Sequence, residues 1–343
     1  SVHVKLLSAC RIAGVAILAM AICGCPTEPP VSSGPSVTKR SARKRKKRRA
    51  VVLERLVTMV QPDVLGLETD RATVSNLLND WVSLGEEDAT RIEPVAAVYQ
   101  SRLEESALKR MTEPRFSSRD VGHVRDAVWY KRVVTFVTGG SRDDLDRAVR
   151  LFEYVVRNIV VKDVAGGALP AGPFTFAMLG EGGPRDRAWL FADLLRELRI
   201  DSVILVCREA PDAWLHGVLL NGKVYLFDHR LGLPVPADRA KPKTIGIEQP
   251  ATLDEVLADP TLLSGLAADE EHPYPVSAVE LDQARVLVVG TTAFWSPRMR
   301  RLQMSLSGEN GLLLWDPLES HPEVERGLVA RVQAAGWKQE RVK

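Results

Sequence analysis

Residues 182–228 decide the fold, and they read GGPRDRAWLFADLLRELRIDSVILVCREAPDAWLHGVLLNGKVYLFD. The Gly-Gly-Pro start is typical of a helix N-terminus, because proline is favoured at the first helical position. Three apolar stretches of strand length follow, at Ser202–Cys207, Ala213–Leu220 and Lys223–Asp228. Asn221-Gly222 is a strong β-hairpin signal between the last two. The stretch therefore predicts a helix packed on an antiparallel sheet, the core of an α+β fold.

Helical patterns flank this core on both sides. Apolar residues recur at helical spacing over residues 52–60, and capping-box pairs such as Thr252 with Glu255 mark helix starts in the C-terminal third. The apolar run Val128–Val137 instead predicts a strand. The expected organisation is a signal segment (1–24), a disordered basic linker (25–50), a mainly helical N-terminal region (51–137), the α+β core (138–240) and a mainly helical C-terminal region (241–343).

The N-terminus has the sequence pattern of an export signal. Lys5 and Arg11 precede the apolar run Ile12–Ile22, which is short for a membrane span but suits the apolar part of a signal peptide. Ile22-Cys23-Gly24-Cys25 resembles the bacterial lipobox, which implies that Cys25 is lipidated. The prediction is an exported protein, lipid-anchored in the cell membrane or outer membrane and facing the periplasm or exterior. A short anchor that is never cleaved is the alternative.

A dense run of positive charge follows the predicted anchor. It consists of Lys39, Arg40, Arg43, Lys44, Arg45, Lys46, Lys47, Arg48 and Arg49. Such a run is either a solvated linker or a surface that adheres to anionic lipid or wall polymer. Residues 1–49 hold eleven Lys and Arg but one acidic residue, so 35 basic and 43 acidic residues remain beyond them, a net charge of −8. That acidic balance argues against a nucleic-acid partner.

The core resembles the transglutaminase-like superfamily, a papain-type fold found in cross-linking enzymes and bacterial cysteine peptidases. The similarity rests on residues 182–188, which resemble the helix start that carries the family's nucleophile, on Ala213–His216 and on Tyr225–Asp228. It implies a catalytic histidine at His216 and an orienting aspartate at Asp228. The nucleophile position falls on Pro184, and no Cys or Ser occurs between Ser141 and Ser202. If the resemblance holds, the chain is a degenerate, noncatalytic relative.

Each candidate residue also has a plainer interpretation. His216 is either a relic catalytic residue or a buried structural histidine, and Asp228 is either its partner or a turn residue. A two-residue Asn221-Gly222 turn would place the two side chains on opposite faces of the sheet. A surviving pair would therefore require a three-residue loop or a bulge.

Cys207 is the one free thiol expected in the mature chain, because the other cysteines lie at or before position 25. It is either a small core residue or a substitute nucleophile. The favoured function is a noncatalytic envelope lipoprotein that binds a protein or peptide partner. The alternative is an active cysteine peptidase or acyltransferase that uses Cys207 with His216 and Asp228. The scattered positions of His123, His272 and His321 suggest no metal site, and no cofactor is predicted.

Overall fold

The computed structural model describes residues 39–85, 97–162, 172–238, 249–335 and 337, with side chains from residue 43 onward. The predicted signal segment, Cys25 and the first part of the expected linker lie outside these residues. The described helices before the core are α1 (Lys39–Met59), α2 (Arg71–Ser83), α3 (Ala97–Arg102), α4 (Glu105–Thr112) and α5 (Ser118–Thr138).

Helix α1 differs from the expected linker, because residues 39–50 are helical instead of disordered. Lysine and arginine are good helix formers, so the basic run continues a helix that its apolar end nucleates. Leu56 and Val60 are buried and pack in one cluster with Trp81 of α2. The basic side chains of residues 43–48 remain exposed on the same helix.

The strand expected at Val128–Val137 is wrong, since these residues belong to α5. This helix is buried on two sides, so apolar residues lie both before and after the polar pair Lys131-Arg132. Val124 and Val128 pack with α1 and α2, whereas Val133 and Val134 join the cluster beneath the core helices. A helix buried on more than one face loses the one-sided periodicity that distinguishes it from a strand.

The core is an antiparallel sheet with helices on one face. Its elements are α6 (Asp144–Asn158), β1 (Val160–Val161), α7 (Pro173–Leu179), β2 (Glu181–Gly182), α8 (Pro184–Glu197), β3 (Asp201–Val206), β4 (Trp214–Leu220), β5 (Lys223–Asp228) and β6 (Leu233–Pro234). Strands β1 and β2 form a short parallel pair. The main sheet has the order β6-β5-β4-β3-β7, where β7 is Arg285–Leu287. The α+β class and the helix-on-sheet arrangement are confirmed.

The C-terminal third covers the other face of the sheet. Its helices are α9 (Leu253–Ala258), α10 (Thr261–Ser264), α11 (Ala278–Asp282), α12 (Pro297–Ser305) and α13 (Leu328–Ala334). The predicted capping box at Thr252 begins α9, where the Thr252 backbone N–H donates to Glu255 at 2.7 Å. No helix among the described residues combines the length and apolarity needed to cross a bilayer.

The hairpin turn between β4 and β5 fixes which residues of the two strands lie opposite each other, and therefore whether His216 and Asp228 lie on the same face of the sheet. Asn221 and Gly222 both have positive φ, 52° and 75°, the conformation of a two-residue type I′ turn. The turn pairs Leu220 with Lys223 and His216 with Phe227. The three-residue loop or bulge that a surviving histidine–aspartate pair requires is therefore absent from this described hairpin.

Candidate functional site

The first predicted site residue, Pro184, is the first residue of α8. The backbone N–H of Gly183 donates to the Asp186 carboxylate at 2.8 Å. The positive end of the helix dipole also stabilises a negative charge in this first turn. Gly182 lies so close to Asp186 that a side chain there would meet its Cβ at 3.0 Å. These residues form a helix start, and Pro184 supplies no nucleophilic atom.

His216 is fully buried in the core and pairs with a residue that sequence reasoning missed. Its Nδ1 is 3.0 Å from Nε2 of His229, and both rings are fully buried. Phe191 of α8 packs against both rings, at centroid distances of 5.0 Å and 5.4 Å. The outer nitrogens, His216 Nε2 and His229 Nδ1, have no hydrogen-bond partner among the described residues.

Burial keeps this histidine pair neutral. It lowers the pKa of His216 to about 3 and holds the pKa of His229 well below its usual value. Charge on His216 and on nearby Arg187 would lower the pKa of His229 further. Each neutral imidazole carries a single N–H. One ring donates its N–H to the other ring, so its own outer nitrogen is bare, whereas the outer nitrogen of the accepting ring carries a hydrogen. A base in this state, closed off from solvent, has no access to a substrate.

Asp228 lies on the opposite face of the sheet from His216, alongside Leu226. Its carboxylate accepts hydrogen bonds from the backbone N–H of Arg230 at 2.7 Å and from the Tyr274 hydroxyl at 2.5 Å. The Arg230 guanidinium adds a charged contact at 3.1 Å. Asp228 thus fixes the turn after β5, and the predicted pair with His216 is not assembled.

Cys207 is a core residue on that same opposite face. It is fully buried and packs with Val203, Leu205 and Leu215, whereas His216 faces α8. Burial and, next, the Glu280 carboxylate raise the pKa of the thiol to about 11. A thiolate is the reactive form of cysteine, so these surroundings disfavour nucleophilic attack. The structure does not bring Cys207 together with His216.

Arg187 is a second residue that sequence reasoning missed. Its side chain is buried and donates to the backbone carbonyls of Val156 and Ile159, where α6 ends, and to that of His229. A cation there complements the negative end of the α6 dipole. Arg187 therefore ties helix α6, helix α8 and the His229 turn together. In the sequence, Arg187 is one of three consecutive charged residues at a helix start, and nothing distinguishes it from its neighbours.

A separate cleft of about 1060 Å³ lies between the N-terminal end of α5, helix α8 and residues 291–298. Its walls carry buried ionisable side chains, the usual mark of a functional site. They are Asp120, His123, Arg125, Tyr130, Asp193 and Arg298. The sequence signal that could have found this cleft is the set of polar residues inside the otherwise apolar helix α5.

Most charges of the cleft wall are already paired. Asp120 contacts Arg298 at 2.7 Å, and Arg125 contacts Asp126 at 2.7 Å. Asp193 pairs with Arg196 at 2.6 Å and accepts from the Tyr130 hydroxyl at 3.1 Å. Arg196 in turn contacts Asp316 at 3.4 Å. The wall is thus a network of fixed opposite charges.

Burial changes the protonation of several wall groups. It lowers the pKa of His123 to about 4, although a hydrogen bond between Nε2 and the Leu314 carbonyl opposes the shift. Burial also raises the pKa of Asp193 to about 6, despite the opposing charge of Arg196. His123 is therefore a neutral imidazole whose Nε2 carries the hydrogen, which leaves Nδ1 as an acceptor.

Comparison with known proteins identifies no relative: no family model, curated protein or solved structure matches the chain. Among the described residues, no three His, Cys, Asp or Glu side chains lie together in a way that could hold a metal ion. The site must therefore be judged from its own geometry.

Proposed function

We propose that this protein is a noncatalytic, lipid-anchored module of the bacterial cell envelope that binds a partner in the cleft beside α5. The observation that carries the proposal is the separation of the groups that catalysis would need. Pro184 begins a helix, His216 is fully buried, and Cys207 and Asp228 lie on the other face of the sheet. Acyl transfer by a thiol requires a nucleophile and a base in hydrogen-bonding reach.

The proposed core is a degenerate transglutaminase-like fold. Helix α8 followed by strands β3, β4 and β5, in an antiparallel sheet, supports this assignment. In this proposal the chain has the helix and strands of the family, but the residues at the family's reactive positions are structural. Pro184 starts the helix, and His216 pairs with His229. We interpret the core as a scaffold that supports the binding cleft.

The proposed membrane attachment has two parts. The lipobox-like sequence ending at Cys25 supplies the anchor, and the exposed basic residues of α1 supply attraction to an anionic surface. Each lysine or arginine near an anionic membrane contributes about 1 kcal/mol. The acidic balance beyond residue 49 would keep the rest of the chain from adhering by charge.

The lipid anchor is tested by producing the chain in bacteria that are fed an alkyne-labelled fatty acid. The wild-type chain should carry the label and sediment with membranes. Cys25→Ser should lose both properties, whereas Cys23→Ser, the matched control in the same motif, should keep both. A labelled Cys25→Ser chain, or an unlabelled wild type, would contradict the proposed anchor.

The absence of catalysis is tested by following hydrolysis of a labelled protein substrate and transfer of a fluorescent amine to protein glutamines. We expect the wild type to match the rate without protein, and His216→Leu to match the wild type. Turnover above that background which is lost in Cys207→Ala would refute the noncatalytic proposal, since it would require an active thiol.

A further inference from the structure

We infer that the cleft beside α5 binds clustered carboxylates, as an acidic peptide presents them. The inference rests on the proposed binding function and names the ligand class of the same site. It depends on the charge of the cleft mouth, on the balance of charge in the wall and on the size of the cleft.

The mouth of the cleft carries an excess of positive charge. Arg71, Lys109, Arg110 and Arg119 line the cleft and are exposed, and Glu113 is the acidic residue exposed among them. Within the described residues, none of these four cations belongs to a salt bridge. Exposed cations that line one opening and outnumber its exposed acidic side chains attract an anion.

The wall of the cleft determines which anion fits. Its cations Arg298 and Arg125 are already matched to Asp120 and Asp126, so the wall adds little net attraction. The mouth cations come from three different elements, α2, α4 and α5, so they offer separate contact points to a ligand. An arginine guanidinium can also bind a carboxylate through two parallel hydrogen bonds. Separate carboxylates, one for each mouth cation, therefore match the cleft better than one dense phosphate charge.

Two unpaired donors favour a ligand that is rich in acceptor oxygens. Trp189 Nε1 and Thr291 Oγ1 belong to residues that line the cleft, and neither atom has a hydrogen-bond partner among the described residues. The indole N–H can only donate, so its partner must be an acceptor. Both residues are partly exposed in the cleft lining, where peptide carbonyl or carboxylate oxygens would be suitable acceptors.

The volume favours a short peptide over a single small acid. Small-molecule pockets occupy about 300–1,000 Å³, and this cleft, at about 1060 Å³, lies just above that range. A peptide would span the cationic mouth while its backbone carbonyls reach the wall. Citrate shares the carboxylate chemistry but would fill only part of the cleft.

The test is fluorescence anisotropy of a labelled hexaglutamate peptide with the full chain. The basic run of α1 would also attract this peptide, so every variant is built in a background where Arg43–Arg49 are replaced by glutamine. In that background we expect saturable binding that weakens at least about tenfold in Arg110→Gln/Arg119→Gln. Arg150→Gln/Arg157→Gln, which removes two partly or fully exposed arginines of α6, is the matched control and should bind like the background chain.

Competition identifies the ligand chemistry. Displacement by unlabelled hexaglutamate, and more weakly by citrate, would support an acidic peptide, whereas equal displacement by citrate would assign the same chemistry to a small polycarboxylate. Equal binding of hexaglutamine, stronger binding of tripolyphosphate, or no effect of Arg110→Gln/Arg119→Gln would overturn the inference. Those outcomes differ from failure of the proposed function, which would appear as Cys207-dependent turnover.

Discussion

A buried arginine holds the junction of three elements in this protein. Arg187 satisfies backbone carbonyls at the end of α6 and in the turn after β5. Two residues earlier on the same helix, Arg185 is 77% exposed and contacts an exposed Asp212. Of these two arginines in one helical turn, Arg187 is structural because its charge is buried, whereas Arg185 is peripheral because its charge is exposed.

Arg187→Met should therefore lower the free energy of unfolding by about 3 kcal/mol, because it leaves buried carbonyls without donors. Arg185→Met should change it by less than about 0.5 kcal/mol, as expected for an exposed ion pair. Urea unfolding followed by circular dichroism measures both values. Equal effects of the two substitutions would contradict the structural role of Arg187.

The buried histidine pair should make stability depend on pH. Burial lowers the folded-state pKa of His216 to about 3 and holds that of His229 well below its usual value, whereas the unfolded chain titrates near 6.5. The unfolded state then binds more protons, so the contribution of the pair to stability is present above about pH 6.5 and is lost as the pH falls. Asp193 acts in the opposite direction, since its pKa is raised to about 6.

Comparing the wild type with a variant that lacks both histidines separates their contribution to the pH dependence of stability from that of groups such as Asp193. His216→Leu/His229→Leu replaces the pair by apolar side chains of similar size, which is nearly neutral near pH 7. Relative to the wild type, its free energy of unfolding should rise by about 2 kcal/mol between about pH 7 and about pH 5.5. Urea unfolding at both pH values measures this difference. Parallel loss of stability in the two proteins would show that the histidines are not protonated on unfolding.

At the scale of elements, helix α1 combines two parts with different tasks. Its residues 43–48 are exposed and basic, whereas Leu56 and Val60 fix its other end in the core. Replacing Arg43, Arg45 and Arg48 by glutamine should weaken binding to vesicles that contain anionic lipid by at least about tenfold. Vesicle sedimentation of the Cys25→Ser chain, which removes the expected lipid, measures this effect.

The control for α1 replaces the same three arginines by lysine, which keeps the charge and should keep the binding. High salt should reduce binding of the wild type and of the lysine variant, because it screens the attraction. Binding that the glutamine variant retains in full would assign the helix a purely structural role.

The elements of the core could be predicted where local signals agree. Gly183-Pro184 and Asp186 mark the start of α8, and Asn221-Gly222 marks the hairpin, so the helix and strands β3 to β5 follow from the sequence. Helix α5 could not be predicted in the same way, because burial against neighbours on two sides removes the one-sided periodicity of a surface helix. The helical basic run was missed because dense charge suggested disorder, although lysine and arginine favour helices.

At the scale of the whole molecule, the site depends on contacts between distant parts of the chain. The cleft joins α5 to α8 and to residues 291–298, and Tyr274 contacts Asp228 across 46 residues. No local pattern reports such contacts. A two-residue turn at Asn221-Gly222 excludes a His216–Asp228 pair, and the sequence is enough to predict that. The contact between His216 and His229 could not be predicted, because it depends on how the chain turns after β5.

The noncatalytic function depends on the protected state of one thiol. Cys207 is a core residue that the sheet separates from His216, and its thiol should be inert at neutral pH. Alkylation of Cys207 by iodoacetamide, followed by mass spectrometry of the peptide that contains it, tests this claim directly in the native chain and in urea. We expect the reaction in the native chain to be at least about a hundredfold slower than in urea. Rapid native alkylation at neutral pH that slows in His216→Leu would contradict it.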